Sequence, residues 1–125
     1  MYCDKQQAAY LGREGERRVA EYLRRKGYII VKRNWRCDRY GEIDIIAEKG
    51  YTMTFVEVKT RREGSLASGA EAVDKHKLQR TVNAANIFMK RLKSPLDMRI
   101  DVAEVTVSFG EDGDRWKLSY IENVG

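Results

Sequence analysis

Residues 42–48 (EIDIIAE) and 51–59 (YTMTFVEVK) read as two β-strands joined at Lys49-Gly50, the composition of a tight hairpin turn. Strand residues two apart share a face. In the second strand Met53, Phe55, Glu57 and Lys59 therefore point one way, and Thr54, Val56 and Val58 the other. In the first, Glu42 and Asp44 share a face opposite to Ile43, Ile45 and Ala47. Both strands place acids among apolar residues, which a solvent-exposed ribbon does not need to do.

Working outward, residues 12–26 (GREGERRVAEYLRRK) read as an amphipathic helix, with Gly15, Val19, Tyr22, Leu23 and Lys26 on one face. Arg24, Arg25 and Lys26 suit the negative end of its dipole, and Gly27 supplies a C-cap. A short strand over 28–31 and a basic loop, KRNWRCDRYG, lead into the hairpin. Beyond it, REGSLASGA reads as a loop and residues 71–93 as a long helix ended by Ser94-Pro95. Two strands close the chain, 98–109 and 116–122, linked by the acidic turn GEDGD. Ile100 and Val102 are out of phase with Val105, Val107 and Phe109, which predicts a bulge near Ala103. The order α-β-β-β-α-β-β gives an α/β sandwich with a mixed central sheet flanked by helices, read as a single domain over 1–125.

Composition narrows the function. The 125 residues are 42% hydrophobic and 34% charged, with one His and two Cys. Cys3, Cys37 and His76 have no metal-type spacing, so zinc chemistry is not expected. No apolar run reaches the roughly 18 residues of a membrane span, and the start lacks a signal-peptide pattern. A cytoplasmic protein without membrane contact is the expectation. Gly12 and Gly15 make no phosphate-cradling loop, because no strand precedes them and the P-loop lysine and hydroxyl are missing; no nucleotide cofactor is expected. The formal charge is +5 but uneven: residues 1–39 hold 11 Lys/Arg against 5 acids, whereas residues 94–125 hold 3 against 7. A basic front with an acidic end suits a polyanionic partner.

The chemistry-bearing pattern is Asp44 followed thirteen residues later by Glu57-Val58-Lys59. A hairpin would bring Asp44 beside Glu57 and Lys59, with the two carboxylates expected about 5–6 Å apart, a span one hard cation such as Mg2+ or Mn2+ can bridge. Such an ion activates water and neutralises charge developing on a phosphodiester. Lys59, a compact point charge, would orient the water or steady the phosphate. The plainer reading is a cross-strand ion pair. Arg61 and Arg62 at the start of the following loop, and Arg33, Arg36 and Arg39 in the basic loop, are candidate phosphate contacts or solvated charges. Trp35 is read either as a packing residue or as a base-stacking one. Arg99 and Asp101 read as a structural pair, and Cys37 as no nucleophile.

GREGERRVAEYLRRKGY, RNWRCDRYGEIDIIA, FVEVKTR, the helix with Lys77, and MRIDVAEV together resemble the YraN-like family of small bacterial endonuclease-like proteins. That family is similar in fold to archaeal Holliday-junction resolvases of the PD-(D/E)xK nuclease superfamily, and the likeness spans residues 10–108. It implies a restriction-endonuclease-like core. It also implies a metal-dependent, structure-selective DNA endonuclease acting on branched or flapped DNA, with Mg2+ or Mn2+ as cofactor. Junction cutting needs two scissions related by symmetry, which a homodimer could supply. Carried over by position, Asp44 and Glu57 match the metal-ligating acids, Lys59 the catalytic lysine, and Glu16 a first-helix acid that completes the metal site. Lys77 matches a polar position on the second helix, a candidate phosphate contact. The superfamily's Pro-Asp is replaced by Gly41-Glu42-Ile43-Asp44, which alters the turn and adds Glu42. The alternative is a nucleic-acid-binding protein that keeps the nuclease fold without catalysis.

Overall fold

The basic stretch read as a loop is a strand. In the computed structural model, which describes residues 5–64 and 75–125, β1 runs over Ile29–Cys37, far beyond the expected 28–31. Its apolar residues Trp35 and Cys37 alternate inward, while Arg33, Asn34 and Arg36 stay exposed, as an edge strand allows. The other elements are α1 Lys5–Arg25, β2 Gly41–Lys49, β3 Thr52–Arg62, α2 Lys75–Leu92, β4 Asp97–Gly110 and β5 Gly113–Ile121. The order matches the expected one. The REGSLASGA loop from Ser65 onward, the helical residues 71–74 and Cys3 lie outside the described residues.

The helix α1 ends as its sequence requires. Gly27 sits at φ 95°, and its N–H reaches the Arg24 carbonyl at 3.0 Å while the Tyr28 N–H reaches that of Leu23 at 2.9 Å. That double closure is a Schellman cap, whose left-handed residue is strained for anything with a Cβ.

The sheet order is β1-β2-β3-β4-β5. Only β3 and β4 are parallel, joined across α2, so the sheet is mixed. Each face carries one helix and one core. Under α1, Val19, Ala20 and Leu23 pack on Ile45, Ala47, Val56, Ala103 and Val105. Under α2, Ala84, Ala85 and Phe88 pack on Ile43, Ile46, Met53, Phe55 and Ile100. The helix α1 lies tight against the sheet at Gly15, where a Cβ would meet the Thr60 side chain.

The bulge expected near Ala103 is absent: β4 pairs without interruption with both neighbours. The apparent change of phase arises because both faces are covered. Ile100 is buried on the α2 side, whereas Ala103, Val105 and Val107 are buried on the other face of the strand. Trp35 packs edge-to-face on Phe88, with centroids 5.2 Å apart, so packing accounts for it. Cys37 is a free, buried thiol in that core. Arg99 and Asp101 form the expected pair through two hydrogen bonds of 2.9 and 2.8 Å. Among the described residues no helix is long and apolar enough to cross a membrane.

Candidate functional site

The site begins with an irregularity in β1 and β2. The register flanks Asn34 with Arg33↔Ile45 and Trp35↔Ile43, so Asn34 faces Asp44 across the two strands. Asn34 adopts φ 53°, a left-handed conformation that asparagine tolerates better than most residues. Strict alternation fails here. Ile43 enters the α2 core and Ile45 the α1 core, although they are two residues apart. Asp44 opens on the α1 side of the sheet, where it shares a cleft with Glu16.

The ladder between β2 and β3 stops at the same place. Its last rung is Ile45↔Val56. Beyond it the Val58 N–H donates to Asp44 Oδ2 at 2.8 Å. A side-chain carboxylate thus does what a backbone carbonyl would have done had the ladder continued, so the backbone donor stays paired while the strands part. The bond also fixes Asp44 against the peptide between Glu57 and Lys59.

Glu57 and Lys59 share a face, as expected, but Asp44 does not share it. Those two line a pocket beneath α2 with Lys77, Leu78 and Thr81, whereas Asp44 lines the cleft beneath α1 with Val58 and Thr60. Glu57 forms an ion pair with Lys77. Glu16 accepts hydrogen bonds from Asn34 Nδ2 at 2.9 Å and Arg33 Nη2 at 3.2 Å. Among the described residues no three acidic, thiol or imidazole side chains converge as a metal cage. The three-carboxylate set of Glu16, Asp44 and Glu57 is therefore not assembled, because Glu16 is turned to β1 and Glu57 to α2.

The electrostatics of Asp44 still bear on a cation. Burial pushes its carboxyl up from 3.8 to about 6; the charges of Glu57, Glu16 and Glu42 push the same way, and the Val58 N–H opposes them. Three acids therefore act on Asp44 in the same direction as burial. Oxygen donors of this kind, charged at a cost, fit a hard divalent ion.

The cleft itself measures about 1010 Å³. Arg13 and Arg17 of α1, Arg33 of β1, and Arg61 and Arg62 of β3 line it around Asp44 and Glu16. Three of the five arginines expected to touch phosphate are thus together. Arg36 and Arg39 are not among its lining; Arg39 lies over the Tyr40 ring, 5.9 Å from its centroid. Lys77 is on the α2 side with Glu57. Sequence reading missed Arg13, Arg17 and Asn34. The four-residue spacing of Arg13 and Arg17, which puts both on one strip of a helix, was the available signal for the first two.

A profile of Uncharacterised protein family UPF0102 matches residues 15–105. The chain belongs to that family. A UPF0102 protein of Alkaliphilus metalliredigens (strain QYMF) is 44% identical over 115 residues, covering 90% of this chain and 95% of the relative. One from Bacteroides thetaiotaomicron is 41% identical over 112 residues, covering 90% and 88%. Another from Nocardia farcinica (strain IFM 10152) is 45% identical over 101 residues, covering 80% and 79%. UPF0102 is the YraN-like family that the motifs resembled, and the matched span contains Glu16, Asp44, Glu57, Lys59 and Lys77.

Proposed function

We propose that this UPF0102 protein is a metal-dependent, structure-selective DNA endonuclease, built on a restriction-endonuclease-like core and hydrolysing phosphodiester bonds in branched or flapped DNA. One observation carries the reading: the Asp44 carboxylate is pinned to the Val58 N–H, between Glu57 and Lys59, beside an arginine-lined cleft. Asp44 is the residue that would hold Mg2+ or Mn2+ from the cleft; Glu57 would join it as a second ligand only by leaving Lys77 and turning from the α2 face toward Asp44. Bound there, the ion would neutralise charge on the phosphodiester and lower the pKa of a water. The rest falls to the chain itself. Arg13, Arg17, Arg33, Arg61 and Arg62 take phosphates of the backbone without reading bases, which gives salt-sensitive, sequence-blind affinity. Lys59 supplies a positive charge to the scissile phosphate or its attacking water. A homodimer would set two such sites against one branched substrate.

The Glu57–Lys77 ion pair and the engaged Glu16 favour a second reading, a nucleic-acid-binding protein that keeps this fold without cutting. The separating experiment uses purified protein with labelled four-way junction, flap, single strand and linear duplex, each with and without Mg2+ or Mn2+. Metal-dependent cleavage that disappears in Asp44→Ala and Glu57→Ala supports the endonuclease. Cleavage surviving in both variants points to a contaminant and overturns it. Salt-sensitive binding without cutting leaves the second reading.

A further inference from the structure

A second groove lies beside the first, between α1 and the edge strand β5. It measures about 390 Å³, and its lining includes Arg17, Arg18, Arg25, Glu21, Tyr22 and Trp116. Arg17 also lines the Asp44 cleft, so the two depressions are contiguous around one side of the helix. From this continuity we infer that the Arg18–Trp116 groove is a second track for nucleic-acid backbone, carrying the flank of a DNA duplex whose nearer part occupies the cleft. The inference rests on the nucleic-acid reading above and assigns it a longer footprint.

Three features support phosphate as the occupant. Arg18, Arg25 and the intervening Glu21-Tyr22 follow helical spacing along one strip of α1. At 1.5 Å rise per residue, Arg18 and Arg25 stand about 10 Å apart along the axis, a reach of more than one phosphate. Second, Arg18 is already oriented: its guanidinium stacks 4.5 Å from the Trp116 centroid, and its Nε–H is given to Glu14 at 2.9 Å. A planar guanidinium held on an aromatic face loses less freedom on meeting an oxyanion. Third, cations outnumber acids here: Arg17, Arg18, Arg25 and Lys117 line the groove with Glu21, and Glu14 stands beside it. Glu14 is bonded to both Arg17 and Arg18, with its carboxyl held below the usual range chiefly by the Arg17 hydrogen bond, and Glu21 is the acid in the lining. Arg17 and Arg18 nevertheless keep 57% and 39% of their side-chain surface open to a ligand.

The test compares labelled duplexes of roughly 10 and 25 base pairs, titrated across a range of salt by fluorescence anisotropy, with wild type, Arg25→Gln and Arg18→Gln/Arg25→Gln. Wild type is expected to bind the longer duplex more tightly. The double variant should lose about tenfold on the longer duplex and much less on the shorter. Its log K against log salt slope should be shallower by about 2, at roughly 0.9 for each phosphate no longer neutralised. Arg25 sits at the exposed helix end, so Arg25→Gln alone should lower that slope by about 1 and leave the protein folded, with at most the small loss of stability that a missing helix-end charge brings. That keeps the test valid if removing the Arg18–Trp116 stack disturbs folding. Variants that bind the longer duplex like wild type overturn the groove and leave the cleft reading intact. A wild type that binds neither duplex overturns both.

Discussion

Gly15 of α1 lies directly against Thr60 of β3. A Cβ at Gly15 would fall on Thr60 Oγ1 and stand 3.0 Å from both Thr60 Cβ and Cγ2. The contact sets how deeply the first helix seats on the sheet, one turn before Val19 and Ala20 enter the core. Because Glu16 follows directly, it also sets where the cleft's helix-borne acid stands.

Two opposing effects decide what Gly15→Ala does. Alanine in a helix gains about 1 kcal/mol over glycine. Overpacking against a β-branched side chain costs about 1–3 kcal/mol, and here three Thr60 atoms are involved. The expected outcome is net destabilisation by about 1–2 kcal/mol, read by urea denaturation. Thr60→Ala added to it should recover part of the loss. A Gly15→Ala protein more stable than wild type would show that the helix seats less tightly than described.

Asp101 anchors β4 to its surroundings. Its fully buried carboxylate accepts from Arg99 Nε and Nη2, from the Tyr120 hydroxyl at 2.6 Å and from the Asn123 N–H at 2.9 Å. Arg99 also donates to Tyr28 Oη at 2.6 Å, which ties the start of β1 to β4. Asp101→Ala strands a partly buried guanidinium and two further donors, and should cost about 3–5 kcal/mol. Tyr120→Phe removes one donor to a charged acceptor and should cost about 1.5–3 kcal/mol. Equilibrium unfolding of the two variants tests the order; equal losses would mean that the charge pair contributes nothing beyond one hydrogen bond.

Much of this arrangement was legible before folding. The shared face of Glu57 and Lys59 followed from period-2 alternation, because β3 is regular through that stretch. The same rule misplaced Asp44, since the left-handed Asn34 opposite it breaks the alternation that the rule assumes. The ladder gap that lets Asp44 cap Val58 depends on where two strands part, which no local pattern encodes. The polar residues of β1 hid a strand because, over 32–37, only Trp35 and Cys37 turn into a core while Lys32, Arg33, Asn34 and Arg36 stay exposed. In β4 the converse held: two covered faces mimicked a bulge.

Lys77 is ion-paired with Glu57, so on the endonuclease reading it competes with a divalent cation for that carboxylate. The pair is partly solvated, with 60% of the Lys77 side chain exposed, so its strength is that of a surface ion pair, about 0.2–1 kcal/mol. Lys77→Gln should therefore tighten Mn2+ binding by about two- to fivefold, measured by calorimetry. The same variant should weaken DNA affinity slightly through the missing charge. Weaker Mn2+ binding in Lys77→Gln would mean that Lys77 positions Glu57 for the ion and does not oppose it.

Asp44 makes the site's acidity a matter of stability as well as chemistry. The folded chain holds the Asp44 proton to about pH 6, whereas the ordinary value is 3.8. Between those values the folded state binds more protons than the unfolded one, so this residue's contribution to stability falls as pH rises from about 4 to 6 and stays low above that. Asp44→Asn removes the buried charge and keeps an oxygen that can accept the Val58 N–H. At pH 8 the variant should be more stable than wild type by about 1–3 kcal/mol, and the gain should vanish near pH 4. Saturating Mg2+ or Mn2+ at pH 8 should raise the melting temperature of wild type and leave Asp44→Asn unchanged, since an amide oxygen has no charge to offer the ion. An Asp44→Asn protein less stable than wild type at pH 8, or one that melts higher with metal, would show that Asp44 is held for packing and not for a cation.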